Sequence, residues 1–156
     1  MEVFGLIALL QRVSSAHVRV GETLISSIGS GVLLFVAVTR GDQEEHASWL
    51  AKKIVNHRIF PSNGRPMDLS IADISGEILI VSQFTLAAVT SRGNRPDFSD
   101  AELPDRAMQL YEFFVEQIRD FHDPDKVSVG EFGADMQVSL INDGPVTILL
   151  SRGGSS

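Results

Sequence analysis

Two short stretches carry the residue types from which a reaction could be built. In Ser82-Gln83-Phe84-Thr85-Leu86, two hydroxyls bracket an amide and an aromatic at the end of an apolar run. Thr85 is the one plausible side-chain nucleophile, yet no base is visible to activate it. In Asn142-Asp143-Gly144-Pro145-Val146-Thr147, a Gly-Pro step lies between the apolar runs 136–141 and 146–150. Gly144 has no Cβ and lets a ligand or another backbone come close. Pro145 has a fixed φ, lacks an N–H, and belongs to the one residue type that readily takes a cis peptide bond. Such a step can hold two carbonyls in a fixed direction. Taken alone, the first stretch is an ordinary strand end and the second a tight turn joining two strands.

The familiar catalytic kits are missing. The chain has no Gly-x-Ser-x-Gly elbow, no His-Glu-x-x-His, no Walker loop and no cysteine. His17, His46, His57 and His122 are scattered, without metal-ligand spacing, and read as structural or surface histidines. No carboxylate pair sits in an apolar setting that would shift its pKa. Gly29-Ser30-Gly31 lacks a third glycine at dinucleotide-site spacing and precedes a strand rather than a helix. No metal and no cofactor is therefore expected.

The 156 residues suffice for a single domain. A net charge of −7 speaks against broad, sequence-blind nucleic-acid binding but leaves room for local contact with one nucleic-acid end. The absence of cysteine fits a reducing compartment. The N-terminus carries an acid where a signal peptide has bases, and its apolar run is too short to span a bilayer. A cytoplasmic protein without membrane contact is expected.

These stretches must be held by a scaffold of many strands and few helices. Residues 6–13 read as a strand buried on both faces, and 17–20 with 23–28 as a hairpin around Gly21-Glu22. Residues 32–38 and 78–82 are further apolar strands, the latter delivering Gln83-Phe84-Thr85 at its end. Asp42 and Glu45 resemble a capping box opening a helix over 43–55, with Lys52-Lys53 as a solvated face. Residues 61–68 read as a loop broken by Asn63-Gly64 and Pro66. Residues 88–103, with Arg92-Gly93-Asn94-Arg95-Pro96 in their middle, show no period. A second helix spans 104–121, with Ala107, Leu110, Tyr111, Phe114, Ile118 and Phe121 as its buried stripe. Strands at 127–129, 136–141 and 146–150 complete the chain. The pattern predicts an α+β layered domain, two mostly antiparallel sheets with two main helices on one side.

Taken together, the two stretches make the sequence resemble the D-aminoacyl-tRNA deacylase family, also called D-tyrosyl-tRNA deacylases. Gln11-Arg12-Val13, the Arg92–Pro96 run and Phe132-Gly133-Ala134-Asp135-Met136 leading into residues 137–147 carry the likeness with them. The family usually has Met-Asn where Met67-Asp68 stands, and residues 1–5 look like an added lead, loose like residues 152–156. The resemblance implies a homodimer of three-layer β/β/α fold. In it, Gly144-Pro145 is cis and reaches into the partner's pocket. It implies hydrolysis of the ester joining a D-amino acid, or glycine, to the 3′-terminal adenosine of tRNA.

An aminoacyl ester is already reactive, which accounts for the sparse kit. What the site must add is placement and an oxyanion hole, each donor contributing on the order of 3 kcal/mol. The N–H groups of Phe84 and Thr85 are the candidate donors, with Ser82 and Gln83 beside them. Thr85 is favoured as a positioning residue over a nucleophile, with water or the substrate's 2′-hydroxyl central. Gly144 and Pro145, flanked by Asn142, Val146 and Thr147, are expected to hold the α-amino group and leave no room for an L side chain. Phe132 and Met136 either line an adenine pocket or belong to the core. Arg92 and Arg95 either meet tRNA phosphates or lie on a solvated loop. The rival reading is a non-catalytic dimeric module that binds tRNA ends.

Overall fold

The computed structural model describes residues 5–151. Residues 1–4, most of the expected lead, and the tail 152–156 lie outside the described residues. The spine is β1 (Ile7–Val20), which pairs antiparallel with β2 (Thr23–Ile28), β3 (Gly31–Ala37) and β8 (Met136–Ser151). Where the sequence suggests separate strands at 6–13 and 17–20, β1 is one 14-residue strand. Ser14-Ser15 breaks the apolar pattern because the strand changes partner there. Its first half pairs with β3 as far as Val13↔Gly31, and its second half pairs with β2 from Ala16↔Ile28. The expected hairpin around Gly21-Glu22 forms.

β3 continues in parallel to β6 (Glu77–Ser82) and β6 to β7 (Val127–Val129). Alternation along β3 and β6 sends successive side chains to opposite faces. Val32, Leu34, Val36, Ile78 and Ile80 join one core with α1 (Glu44–Val55) and α3 (Pro104–Phe121). Leu33, Leu79 and Val81 join a second core with Val13, Ala16, Val18 and Ile28 of the β1–β2 ribbon. The result is a mixed α+β fold in three layers, β/β/α, with both long helices on one side. Apolar burial on both faces of β3 stabilises this arrangement, each large aliphatic side chain contributing roughly 1.5–3 kcal/mol.

Three local expectations are corrected. Residues 61–68 are no loop. β4 (Arg58–Ser62) and β5 (Arg65–Ser70) form a hairpin turned by Asn63 (φ 49°) and Gly64 (φ 82°), both left-handed as a type I′ turn requires. Pro61 and Pro66 are tolerated because a two-stranded ribbon consists only of edges. A short α2 (Ile71–Ile74) follows.

The cap of α1 lies one residue later than Asp42 and Glu45 suggest: Gln43 is the N-cap, and its N–H donates to Nδ1 of His46 at 3.0 Å. Asp42 is instead 1% exposed. Its Oδ2 accepts the Thr39 N–H at 2.6 Å and the Thr39 hydroxyl at 3.1 Å, whereas Oδ1 is buried with no hydrogen-bond partner among the described residues and lies 4.0 Å from His46 Nδ1. Burial pushes this carboxyl above its ordinary pKa against the opposing effect of those bonds.

Finally, α3 has the expected bounds and buried stripe, except that Phe121 is exposed at its last turn. His122, just beyond, is buried, its Nε2 2.7 Å from the Gly76 carbonyl.

Candidate active site

A cavity of about 480 Å³ opens at the C-terminal ends of β3 and β6. This volume is within the usual range for small-ligand sites, about 300–1,000 Å³. Ser82 at the end of β6 and Gln83 and Phe84 just beyond it line the cavity, with Phe132 from the turn before β8 and Met136 at the first position of β8. The N-terminal turn of α3 contributes Leu103, Pro104 and Ala107, and Tyr111 follows one turn further along.

The strand end is shaped by its own backbone. Gln83 N–H donates to Val36 O at 2.8 Å, extending the parallel ladder one step beyond Ser82. The chain then winds into a 3-10 turn, Phe84–Ala87, closed by Leu86 N–H to Gln83 O at 3.1 Å. The first N–H groups of any helical turn lack an acceptor within it. Among the described residues, the N–H groups of Phe84 and Thr85 have no protein acceptor. The Thr85 side chain is exposed and does not line the cavity.

Aromatic rings frame the opening and the depth of the site. Phe84, 60% exposed, meets Phe98 edge-on with centroids 5.3 Å apart. Tyr111 packs against Phe132 at 5.5 Å and donates its hydroxyl to Ile80 O at 3.2 Å. Burial pushes the Tyr111 phenol up, so it stays a neutral donor. Reading Tyr111 only as helix core missed its place in the cavity. Phe98 was hidden in the patternless stretch.

That stretch is tied down at several points. Val89 and Asp97 exchange backbone bonds at 2.7 and 3.0 Å. Arg40 Nε donates to Ser99 O at 2.6 Å. Arg92 and Arg95 are both exposed between Val89 and Asp97. Bonds from Ser99 hold the Asp97 carboxyl below its ordinary pKa, with Arg92 a smaller cause.

Residues 142–147 do not form a reversing turn between two strands. β8 runs on in one direction beside β1, and Asn142 pairs with Val13 while Thr147 pairs with Gln11. Residues 143–146 therefore bulge outward opposite Arg12 alone. The Gly144-Pro145 peptide is cis. Asn142 closes the base of the bulge, its Nδ2 donating to Arg12 O at 3.0 Å and Val146 O at 3.1 Å. Gln11 Nε2 donates to Thr147 Oγ1 at 3.1 Å. Arg12 Nε donates to Asp143 O at 3.0 Å and lies 3.3 Å from its Oδ2.

One chain thus brings Ser82, Gln83, Phe84, Phe132 and Met136 together around the cavity. Residues 142–147 are not part of its lining. The bulge and the outward face of β8 lie open, with Ile141 and Leu149 about three-fifths exposed. Among the described residues, β8 has β1 as its only strand partner. No helix there is long and apolar enough to cross a membrane.

Fold and site together define a small α+β domain that presents unclaimed main-chain donors beside an aromatic, largely apolar cavity. The chain belongs to the D-Tyr-tRNA(Tyr) deacylase family, whose model matches residues 9–151. A D-aminoacyl-tRNA deacylase of Thermosipho melanesiensis is 51% identical over 92% of this chain and 95% of its own length. One of Geotalea daltonii is 52% identical over 92% and 94%. A solved structure of a c-Myc DNA unwinding element binding protein, 40% identical, superposes with a TM-score of 0.88 over 92% of this chain and 97% of its own.

Proposed function

We propose that this protein hydrolyses the ester between a D-amino acid, or glycine, and the 3′-terminal adenosine of tRNA, acting as a homodimer in the cytoplasm. The observation that carries the reading is the pair of unclaimed N–H groups, Phe84 and Thr85, at the edge of an aromatic cavity in a chain of this family. The adenine stacks among Phe132, Met136 and Tyr111. The ester carbonyl then lies against the strand end. Water adds to the carbonyl carbon, and the developing oxyanion accepts bonds from Phe84 and Thr85. The bond to the ribose 3′-oxygen breaks, and that oxygen takes up the proton given up by the water, with the 2′-hydroxyl as the nearest relay. Ser82 and Gln83 hold the turn, and Thr85 positions the substrate.

Handedness is read by the bulge of the partner subunit. Its Gly144 and Pro145 carbonyls hold the α-amino group so that an L side chain collides with main chain. Clashes discriminate more sharply than added apolar contacts do. Asn142, Val146 and Thr147 keep the bulge in shape. The exposed face and open edge of β8 suit pairing with a second copy, which would complete each cavity. Arg92 and Arg95 meet phosphates near the opening.

Incubation with D-tyrosyl-tRNA and L-tyrosyl-tRNA tests the reading. Loss of the D ester alone is expected. Equal loss of both would remove the steric filter. Tight tRNA binding with neither ester lost would leave the non-catalytic module.

A further inference from the structure

We propose that the end of α1 and the β4–β5 hairpin form a phosphate-binding face that holds the acceptor stem of the substrate tRNA. The inference rests on the deacylase reading and extends it from the 3′ end to the duplex behind it. Between His46 and Met67 the sequence contains Lys52, Lys53, Arg58 and Arg65 but no Asp or Glu, within a chain of net charge −7. The fold gathers these residues. α1 ends at Val55, the Asn56 and His57 N–H groups donate back to Lys52 O and Ile54 O at 3.2 Å each, and His57 leads directly into Arg58 at the start of β4.

Across the hairpin, Asp68 binds Arg58 Nη2 at 2.8 Å and lies 3.7 Å from Arg65 Nη1. One mostly buried carboxylate thus holds Arg58 and lies within ion-pair range of Arg65, while the two cationic side chains remain 63% and 74% exposed. Guanidinium groups held in place lose less freedom on meeting a phosphate than free ones do. Asp73 is the other nearby acid; bonds from Ser70 keep it ionised and it also interacts with Arg58, so Lys52, Lys53, Arg58 and Arg65 stand against two carboxylates. The face therefore keeps a local positive excess.

Its position matters as much as its charge. Arg12 Nη1 donates to Ile59 O in β4 at 2.7 Å while Nε holds Asp143. The basic hairpin and the bulge are thus joined through one guanidinium group. A 3′ end whose amino acid is read by that bulge brings the stem's phosphates towards the same side. Lys52-Lys53, which look like a solvated pair in the sequence, become part of a larger basic face.

The test compares D-tyrosyl-tRNA with the same D-tyrosyl ester on adenosine alone, for the wild type and for Lys53→Glu/Arg65→Glu. The variant should raise KM for the tRNA about tenfold while kcat and cleavage of the adenosine ester stay unchanged. The salt dependence of tRNA binding should flatten by about 0.9 logarithmic units for each phosphate that is no longer neutralised. An unchanged KM for tRNA, or equal losses on both substrates, would overturn the proposal. Lys52→Glu/Lys53→Glu, confined to an exposed helix face, repeats the test should the hairpin variant not fold. If the wild type cleaves neither substrate, the deacylase reading falls. Retention of uncharged tRNA on filters, weakened or not in the variants, still decides the basic face.

Discussion

The Arg12 guanidinium donates from Nε to the main-chain oxygen of Asp143 at 3.0 Å, across 131 residues of sequence. The same group donates from Nη1 to Ile59 O at 2.7 Å. A residue of β1 thereby carries both the bulge and the neighbouring hairpin, and does so with the fixed angles of one planar fork.

Arg12→Lys should separate charge from geometry. A lysine keeps the attraction to Asp143 but cannot serve two carbonyls in two fixed directions. Bonds from charged groups contribute roughly 1.5–3 kcal/mol each. The expected result is a fall of about that size in unfolding free energy, measured with urea, and at least about a tenfold fall in kcat/KM for D-aminoacyl-tRNA. Unchanged kinetics would mean that the bulge keeps its shape without the fork.

Gly144→Ala tests how closely the bulge is fitted. A Cβ at Gly144 would stand 2.8 Å from Asn142 Oδ1 and 3.5 Å from Val146 N. Asn142 could turn aside only by releasing Arg12 O and Val146 O, the two bonds that close the bulge. Losing them should cost about 1–3 kcal/mol. Activity should fall by more than the stability does, because the shape that reads handedness goes with them. Thermal melting beside D- and L-ester hydrolysis checks this. An alanine variant with full discrimination would refute it.

Much of this arrangement is legible in the sequence where one period dominates. The stripe of α3 and the unbroken apolar run of β3 are dictated by what each face must bury. Legibility fails where a residue's role is set by a distant strand. Residues 142–147 look like a turn because Gly and Pro punctuate them; only pairing with β1 on both sides reveals a bulge. Asp42 looks like a cap until Gln43 and His46 are seen to take that role. Asn63-Gly64 was a readable hairpin signal, obscured by two prolines that a free ribbon tolerates. Residues 88–103 have no period because their bonds run to Arg40 and across Val89–Asp97, so Phe98 reaches the cavity unannounced.

His57 should give stability a pH dependence. Burial, and after it the nearby Lys53 ammonium, lowers its pKa below the ordinary 6.5. The folded state therefore binds this proton more weakly than the unfolded chain. The stability linked to it is fully present above pH 6.5 and is lost as pH falls through the lowered folded-state value. His57→Gln should remove that loss. Urea midpoints measured from pH 8 down to 5 should decline less steeply for the variant than for the wild type, and parallel curves would contradict the assignment.

Thr85 offers the sharpest division between side chain and main chain. If its hydroxyl were the nucleophile, Thr85→Ala would be inactive while still folding and binding. If the N–H is what matters, Thr85→Ala retains activity within about tenfold, since alanine keeps the donor. Thr85→Pro removes that donor from a turn in which the Thr85 N–H bonds nothing, so no internal N–H bond is lost. Proline also disfavours the helical backbone of Phe84 before it, so the melting temperature should fall, and at a temperature where the variant is still folded kcat should drop by about 10²–10³, the effect of losing one oxyanion donor. A dead alanine variant, or a proline variant as fast as the alanine one, would move the chemistry away from these two amides. The comparison is read where both variants are folded, because proline removes the N–H and also constrains Phe84 before it.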